Sequence, residues 1–584
     1  MLCHINSREE NYLNMGQTEC KQMGYPSKEK PWLNYYSEES INASLPESSI
    51  YEYLVQNNKD FPLDIAIIYL GRKITYRELF ENIDKTAASF IKAGVKEKEI
   101  VTVALPSIPE ALYCVYALNK IGAVANMIHP LAGKEETINY LNEVQSRIAV
   151  IFDGAYDAIA NDMGKTSVER VIVASPADSL PVHLRILYGL KVKKPNLDGK
   201  VFCSWKSFIQ DGKGTTISVV KKDYHEMAII SHTGGTTGEP KGVMCSDYNV
   251  NALIYQIVRN FEYRRQETCL VVLPPFVNYS LVESMMAMFC IGFKVALIPK
   301  YEPLKLGEYI AKYKPYVIFS IPAYWEALLK IENIDSIDMS CLRYCIYGGE
   351  SMVPETEIEI NNLIKKCGAR GRLLKGVGST ELVAAATSTY EGFNEIGSVG
   401  VPLSRMDCKI VDPETDDEVS YNHKGEICFT GPTLMLGYFN NKRATDETVR
   451  VHADGKRWLH TGDIGYMAED GTLYITGRIK RIAMTKGRDG QITKIFPDRV
   501  ERAISTSELV ALCCVICVPD EARIHYSKAF VILKEGLDKS QAKEKLLAIC
   551  KENLPEYMVP EEIEFVEDLP RTPRGKIDYR ALEE

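Results

Sequence analysis

The spacing of apolar residues predicts helices that alternate with short strands. In ITYRELFENIDKTAASFIKAG, Thr75 and Glu78 stand at capping-box spacing, and apolar residues then recur on one helical face up to Gly94. The run IVTVALP predicts a strand, and helices are expected at 109–120 and near 135–145. The strands IAVIFD and VIVAS follow. This alternation predicts a layered, mostly parallel α/β fold.

The pattern changes near Gly477. Beyond it come charged turns, strand patterns around ALCCVICV and AFVIL, and a helix near 541–554, which together predict a small α+β domain. The first 45 residues are polar and predict an extension or a partly ordered arm rather than core. We therefore expect four parts: an extension at 1–45, a large multi-subdomain α/β domain at 46–476, a connection at 477–480 and the small domain at 481–584.

Composition and charge exclude several classes of protein. Of 584 residues, 46% are hydrophobic and 25% charged, which is typical of a soluble globular protein. The net charge is −9 and no basic stripe is present, so a nucleic acid is not an expected partner. The apolar run SMMAMFCIGF is too short for a membrane-spanning helix.

The cysteines and the first residues indicate the compartment. Sixteen cysteines are scattered along the chain, and the C-x-x-C at Cys514 and Cys517 has no second pair at zinc-site spacing. This pair therefore predicts core packing in an apolar strand. The chain opens without a basic region followed by an apolar run, so no secretory signal is expected. We expect reduced thiols and a cytoplasmic protein.

The segment SHTGGTTGEPKGVM, at 231–244, has the composition of a phosphate-binding loop. It contains four glycines, four serines or threonines and one lysine. A Walker loop runs directly into a helix, but here Pro240 precedes Lys241 and biases Glu239 away from helix. We predict a loop between two strands, with hydroxyls and Lys241 closing over a polyphosphate. A surface turn would explain the glycines but not the hydroxyl residues beside the lysine.

Other motifs follow this loop in a fixed order along nearly the whole chain. They are KGVGSTE (375–381), GEICFTGPTLMLGY (425–438), WLHTGD (458–463), GRIK (477–480), LPEYMVP (554–560) and LPRTPRGKID (569–578). With the loop, they resemble the adenylate-forming superfamily, which includes acyl-CoA synthetases, firefly luciferase and the adenylation domains of peptide synthetases. The family loop usually reads T-S-G-[ST]-T-G-x-P-K-G.

The resemblance implies a two-step ligase reaction. A carboxylate attacks the α-phosphate of ATP to give an acyl-adenylate and pyrophosphate, and a thiol, usually coenzyme A, then takes the acyl group with release of AMP. ATP, Mg²⁺ and coenzyme A are the implied requirements. The resemblance also implies that the small C-terminal domain is mobile and rotates between the two half-reactions.

The resemblance assigns a role to individual residues. Lys576 would bridge the carboxylate and the α-phosphate, Thr380 would contact phosphate, and Glu381 would hold Mg²⁺. Asp463 would bind the ribose hydroxyls. Lys480 would be the hinge residue. The remaining nucleotide-binding residues implied are Thr233, Gly234, Gly235, Thr236, Thr237, Gly238, Lys241, Gly349, Glu350, Gly376, Val377, Gly378 and Arg478, the last of which could instead pair across the hinge.

The chain departs from the family pattern at four positions. Gly234 replaces a serine, Arg499 replaces a glutamate, and Val377 replaces an aromatic residue that stacks on adenine. Val277 stands where many acyl-CoA synthetases have histidine and amino-acid-activating domains have aspartate. With Asn278 and Tyr279 it is expected to line the acid pocket. No carboxylate waits there for an amino group, which predicts an uncharged, apolar substrate such as a fatty acid.

Two other functions remain open. The first is a stand-alone ligase that loads a carrier protein; because the chain ends eight residues after Lys576, that carrier would be a separate protein. The second is a nucleotide-binding homologue without catalysis, although the catalytic residues are retained. The segment 487–491 looks like an insertion that touches the thiol substrate or forms a hairpin tip. LRILYGLKVKK, at 184–194, predicts an exposed connecting helix in preference to weak membrane association.

Overall fold

The computed structural model describes most of the chain beyond the first 23 residues. The described residues are 24–583 without 192–194, 196, 198, 219, 234–239, 260, 482, 487–491, 521, 535 and 572–576. Within them the fold is the predicted mixed α/β architecture, with a large N-terminal part and a small C-terminal part.

The first large sheet has eight strands and is parallel across six of them. In spatial order the strands are Gly437–Tyr438, Gly242–Ser246, Met227–His232, Val124–Met127, Ile100–Ala104, Ile148–Phe152, Arg170–Ala174 and Phe202–Ser204. The predicted capping box of Thr75 and Glu78 is confirmed and starts the helix Tyr76–Lys92. The helix Pro109–Lys120 is also confirmed, with proline at its first turn.

The second large sheet has seven strands, all parallel except one edge hairpin. In order they are Leu373–Lys375, Tyr344–Tyr347, Val317–Ser320, Thr268–Val271, Lys294–Leu297, Ile65–Tyr69 and Arg72–Thr75. The carboxyl ends of parallel strands meet at one edge, where ligands of α/β proteins bind. Several predicted site segments begin at this edge.

Smaller antiparallel sheets complete the large part. A five-stranded sheet contains Asp407–Val411, Gly425–Thr430, Arg457–Met467, Val449–Val451 and Leu473–Arg478, and a pair joins Thr387–Ser388 to Val401–Pro402. The α-helices of the large part are Pro26–Glu29, Glu38–Asn42, Ile50–Asn58, Tyr76–Lys92, Pro109–Lys120, Lys134–Glu143, Tyr156–Ile159, Val182–Lys191, Trp205–Asp211, Asp247–Arg259, Ala287–Cys290, Leu306–Tyr313, Pro322–Glu326, Pro354–Lys366 and Lys442–Thr448. One π-helix, Tyr279–Met286, precedes Ala287–Cys290.

The C-terminal part has its own core. A hairpin joins Ala483–Lys486 to Ile492–Ile495, and a three-stranded sheet contains Val510–Asp520, Ile524–Leu533 and Glu562–Phe565. Its helices are Pro497–Ser505, Lys539–Asn553 and Arg580–Glu583. On the strand Val510–Asp520, Cys514 is fully buried and Cys517 is partly buried, and both thiols are free. This confirms that the C-x-x-C packs in a strand.

The N-terminal segment differs from its prediction. Its described part, from residue 24, does not stand apart from the core: Trp32 is 0% exposed and belongs to the main apolar cluster. The hydroxyl of Ser27 donates to Glu418 at 2.6 Å, and that of Tyr36 donates to the carbonyl of Pro402 at 2.8 Å. One large aromatic side chain and a few polar contacts are enough to anchor a segment whose average composition is polar.

The segment with apolar and basic residues forms the helix Val182–Lys191. Ile186 is 62% exposed and Leu187 53% exposed, so the helix lies on the surface, as predicted. Among the described residues, no helix combines the length and the hydropathy needed to cross a bilayer.

Candidate active site

The glycine-rich loop joins two antiparallel strands, as predicted, and does not lead into a helix. It connects Met227–His232 to Gly242–Ser246. At its base, the backbone N–H of Thr233 donates to the carbonyl of Lys241, and the N–H of Lys241 donates to Oγ1 of Thr233, both at 3.0 Å. The predicted loop residues Gly234, Gly235, Thr236, Thr237 and Gly238 lie outside the described part of the chain.

Two glycine-containing segments begin at neighbouring strand ends of the seven-stranded sheet. Gly348 and Gly349 follow Tyr344–Tyr347, and Gly376 follows the adjacent strand Leu373–Lys375. A Cβ placed on Gly348 would lie 3.4 Å from the carbonyl oxygen of Gly376, so the two backbones are nearly in contact. Glu350 follows on the same segment. The structure thus brings the predicted nucleotide-binding residues Gly349, Glu350, Gly376, Val377 and Gly378 to one edge.

Glu381 connects this edge with the phosphate loop. Thr380 and Glu381 lie on the short 3₁₀ turn Thr380–Leu382, where both are half-buried. The hydroxyl of Tyr438 donates to Oε1 of Glu381 at 2.7 Å, and burial together with the charge of Glu381 raises the pKa of Tyr438 well above its usual value. Nζ of Lys241 lies 4.7 Å from the centroid of the Tyr438 ring, within cation–π range.

Tyr438 has no role in the sequence-based prediction, although the motif that contains it was recognised. The strand Gly437–Tyr438 pairs with Gly242–Ser246, and this pairing places the phenol beside the end of the loop. Its position as the last residue of GEICFTGPTLMLGY is the available signal.

Asp463 and Arg478 form a pair on adjacent strands of the five-stranded sheet. Nε of Arg478 donates to Oδ1 of Asp463 at 2.6 Å, and Asp463 is only 8% exposed. The charge of Asp463 raises the pKa of Arg478, and the charge of Glu381 contributes in the same direction. Asp463 lies within the strand Arg457–Met467. The charge of Glu381 therefore also acts on this pair.

The hinge segment is in contact with both parts of the chain. The backbone N–H of Arg478 donates to Oδ2 of Asp498 at 3.1 Å, and Asp498 lies on the helix Pro497–Ser505 of the C-terminal part. Lys480 lies in the 3₁₀ turn Ile479–Arg481. Both alternatives given for Arg478 therefore have a structural counterpart, since its side chain contacts the predicted ribose ligand and its backbone contacts the other domain.

Two family models match the chain. The model of the AMP-binding enzymes covers residues 54–439, and the model of the AMP-binding enzyme C-terminal domain covers residues 499–576. The chain belongs to the AMP-binding enzyme family. Within it, the chain groups with the adenylate-forming acyl- and aryl-CoA ligases, as its relatives show.

Curated relatives of this AMP-binding enzyme match over nearly their whole length. The long-chain-fatty-acid–CoA ligase of Bacillus subtilis is 30% identical over 95% of this chain and 98% of its own. The probable 4-coumarate–CoA ligase 1 of Dictyostelium discoideum is 29% identical over 94% and 97%. Two acid classes, fatty and aromatic, are thus represented among relatives of similar identity.

Solved structures confirm the fold of the AMP-binding enzyme. The anthranilate–CoA ligase AuaEII in complex with anthranoyl-AMP has a TM-score of 0.79 at 22% identity, covering 92% of this chain and 97% of that one. ATP-bound MatB from Rhodopseudomonas palustris has a TM-score of 0.78 at 23% identity, covering 92% and 98%.

The predicted acid-pocket residues of this AMP-binding enzyme link the two large sheets. The hydroxyl of Ser231 donates to Oδ1 of buried Asn278, which joins the strand before the phosphate loop to the start of the π-helix. Val277 and Tyr279 flank Asn278 and are half-buried. A π-helix is rare and often marks a functional site. Glu283, on the same helix, accepts the N–H of Ala385 at 3.0 Å, and burial raises its pKa to about 8.

The segment around Glu381, from Ser379 to Val383, contains a strained backbone conformation and an unsatisfied hydroxyl. Val383 adopts a φ of +66°, a conformation that a β-branched residue rarely takes. The hydroxyl of Ser379 is buried and has no hydrogen-bond partner among the described residues. Such features concentrate at ligand sites. The sequence-based prediction missed Ser379, although it lies inside the quoted motif KGVGSTE.

Lys576 and the insertion at 487–491 lie outside the described residues. Arg571 and Ile577 form an antiparallel bridge on either side of the segment that contains Lys576. Burial raises the pKa of Glu326, and the charge of Arg571 opposes this shift. Glu326 ends the helix Pro322–Glu326, which follows a strand of the seven-stranded sheet. The strands Ala483–Lys486 and Ile492–Ile495 flank the insertion in a hairpin.

Replacing Gly378 by alanine is expected to destabilise the protein by about 1–3 kcal/mol, the usual cost of overpacking. A Cβ at this position would lie 1.9 Å from the carbonyl oxygen of Ala384, and backbone cannot move aside cheaply. Thermal unfolding followed by circular dichroism measures the effect. Gly392→Ala is the matched control because a Cβ there meets nothing within 4 Å. Equal melting temperatures for both variants would contradict the prediction.

Replacing Val377 by tyrosine is expected to tighten ATP binding. Val377 is half-buried, and its N–H is fixed by Oγ1 of Thr387 at 2.9 Å, so a ring would start from a defined backbone position. Aromatic stacking contributes about 0.5–1.5 kcal/mol, roughly a two- to tenfold lower Kd. Isothermal titration with ATP measures it. Val377→Leu is the control because it adds apolar area without a π face. An equal gain in ATP affinity for Val377→Leu would show that stacking is not the cause.

Proposed function

We propose that this protein activates an uncharged, apolar carboxylic acid, a fatty acid in the first instance, to an acyl-adenylate with ATP. It then transfers the acyl group to coenzyme A and releases AMP and pyrophosphate. The observation that carries this proposal is the set of contacts among Lys241, Tyr438 and Glu381, together with the pair Asp463–Arg478, on which the charge of Glu381 also acts. This arrangement offers cations for the phosphates and a carboxylate for the ribose.

Phosphoryl chemistry of this kind depends on positioning and on cations aimed at developing charge. The base of the loop, held by Thr233 and Lys241, would orient the β- and γ-phosphates. Ser379 offers a buried hydroxyl that lacks a protein partner among the described residues, as expected of a donor waiting for a ligand oxygen. Lys576 would neutralise charge between the carboxylate and the α-phosphate.

The residues present fit a magnesium ion bound with the nucleotide. Mg²⁺ is usually held by one or two carboxylates and by phosphate oxygens, and Glu381 is a carboxylate whose orientation is fixed by Tyr438. The ion, when bound with ATP, supplies charge neutralisation at the phosphates. Tyr438 then acts by orienting the carboxylate, and Asp463 by accepting hydrogen bonds from the ribose.

The choice of an apolar acid rests on the residues around the start of the π-helix. Val277 offers no charge, and Glu283 has a pKa of about 8 and is therefore mainly neutral at pH 7. A substrate amino group would find no fixed negative charge from either residue. The fatty-acid–CoA ligase of Bacillus subtilis is consistent with this choice, whereas the 4-coumarate–CoA ligases make an aromatic acid the second candidate.

The domain limits and the compartment belong to the same proposal. We assign the nucleotide-binding domain to 46–476, the hinge to 477–480 and the domain that rotates to 481–584. The described cysteines carry free thiols, which supports a reducing, cytoplasmic setting.

The decisive assay measures AMP release from ATP and Mg²⁺ with a panel of fatty and aromatic acids of graded length, with and without coenzyme A. We expect AMP to form only when both an apolar acid and coenzyme A are present. AMP release that responds to a phosphopantetheinylated carrier but not to coenzyme A would show that the acceptor is a carrier protein. Activity with aromatic acids but not with fatty acids would show that the substrate is an aromatic acid. Nucleotide binding without turnover across the panel would contradict the proposal of catalysis.

A further inference from the structure

We propose that the protein binds one divalent transition-metal ion of the zinc type at a site formed by His452, His460 and Asp416. The ligand atoms of these three side chains all lie within 4.8 Å of one another. The site is on the five-stranded sheet and is separate from the magnesium ligand Glu381. Two imidazoles and one carboxylate, with a fourth position left for water, are the usual protein ligands of such an ion.

The first argument is the orientation of His460. Nδ1 of this buried ring donates to Oε2 of Glu426 at 2.7 Å, and the other oxygen of Glu426 accepts the N–H of Gly462 at 2.9 Å. A carboxylate that accepts from Nδ1–H leaves the lone pair on Nε2, which faces His452. Metal-binding histidines are almost always supported in this way.

The second argument is the geometry between the two rings. Nε2 of His452 faces Nε2 of His460 at 2.8 Å. Two nitrogens bound to one tetrahedral zinc ion, each at about 2.0–2.1 Å, stand about 3.3 Å apart. If the two rings move apart by roughly half an ångström, an ion can therefore replace the hydrogen bond between them. His452 and Asp416 are both only half-buried, so an entry path exists.

The third argument is the support of the carboxylate ligand. Arg450 donates to both oxygens of Asp416 at 2.9 and 3.2 Å, and ligating carboxylates commonly have such a supporting donor. The thiol of Cys428 lies near His460 and Glu426, where all three residues are buried, and it is not part of the proposed site.

A bound ion would hold together three segments of the large part of the chain, one of which carries Asp463. Asp416 lies in the turn after Asp407–Val411, His452 follows Val449–Val451, and His460 lies on Arg457–Met467. Asp463 follows His460 by three residues on the same strand. A bound ion would therefore brace the strand that holds the predicted ribose ligand.

The test is a titration of the chelator-treated full chain with Co²⁺, in millimolar Mg²⁺ and without nucleotide. We expect visible Co²⁺ absorption that saturates at one equivalent and is displaced by Zn²⁺, because nitrogen ligands select against Mg²⁺. His452→Ala should abolish the saturable signal. Asp416→Asn and Glu426→Gln should weaken binding by about 10–100-fold.

His423→Ala is the matched control, since His423 is exposed and contacts only its own turn among the described residues. Far-ultraviolet circular dichroism establishes whether each variant is folded. If His452→Ala does not fold, Asp416→Asn, at a half-buried position, provides the second variant. A wild-type protein without saturable Co²⁺ absorption would overturn the proposal, and so would a folded His452→Ala variant that binds Co²⁺ as well as His423→Ala does. The contact would then be only a hydrogen bond between the two histidine rings.

Discussion

Replacing Lys576 by alanine is expected to slow acyl-adenylate formation by about 10²–10³-fold, the usual cost of removing one donor aimed at charge in the transition state. ATP binding is expected to change little, because the predicted phosphate and ribose ligands lie elsewhere: Lys241 in the loop, and Asp463 and Arg478 on paired strands. The lysine stands in LPRTPRGKID, and without that motif it would be an ordinary surface charge.

The position of the neighbouring residues supports this expectation. The bridge between Arg571 and Ile577 flanks the segment that contains the lysine. The charge of Arg571 acts on Glu326, where it opposes the rise in pKa that burial causes. Because Glu326 belongs to the helix that follows the strand Val317–Ser320, the residues beside Lys576 are electrostatically coupled to the large part of the chain.

The measurement separates the two half-reactions. Pyrophosphate exchange reports adenylation, titration calorimetry reports ATP binding, and the transfer of acyl groups from synthetic acyl-adenylate to coenzyme A reports the second step. In Lys576→Ala we expect only pyrophosphate exchange to fall. Lys551→Ala, on the exposed face of the helix Lys539–Asn553, is the control. Unaltered exchange in Lys576→Ala would show that the role belongs to another cation.

Much of the fold could be predicted because local signals agree with burial. The helix Tyr76–Lys92 has both a capping box and an apolar stripe. The helix Pro109–Lys120 is buried on all sides, so it has no stripe, but its proline still defines the start. Trp32 shows the limit of this approach, since a polar stretch hides one aromatic residue that packs in the main core.

The site could be predicted only as a set of motifs. Pro240 indicated that the loop joins two strands. No local pattern indicated which distant side chains would contact one another beside the loop. Tyr438 and Glu381 are 57 positions apart and meet only because the strand Gly437–Tyr438 pairs with Gly242–Ser246. Apolar periodicity reports which face of an element is buried, not which distant side chains meet. The phenol, the buried hydroxyl of Ser379 and the two histidines were therefore missed.

Replacing Glu381 by glutamine is expected to reduce adenylation by about 10²–10³-fold, because it removes the charge that would hold Mg²⁺ at the phosphates. Glutamine has the same shape and can still accept the hydrogen bond from Tyr438, so the turn Thr380–Leu382 should keep its conformation. The loss of activity would then report the charge and not a local unfolding.

The magnesium dependence distinguishes this explanation from a general loss of ATP affinity. In Glu381→Gln, the Mg²⁺ concentration for half-maximal pyrophosphate exchange should rise, and the affinity for ATP measured without Mg²⁺ should stay close to that of the wild type. Tyr438→Phe should have a smaller effect of the same kind, because it leaves the carboxylate but removes the hydroxyl that orients it.

Glu359→Gln provides the matched control, since Glu359 is an exposed carboxylate on the helix Pro354–Lys366. It removes the same charge from the protein without touching the site, so its exchange rate and Mg²⁺ dependence should equal those of the wild type. If Glu381→Gln kept the wild-type rate at every Mg²⁺ concentration, Glu381 would be a structural partner of Tyr438. The metal ligand would then have to be sought among the other acids at this edge, beginning with Glu350, which follows Gly349 at the end of the neighbouring strand.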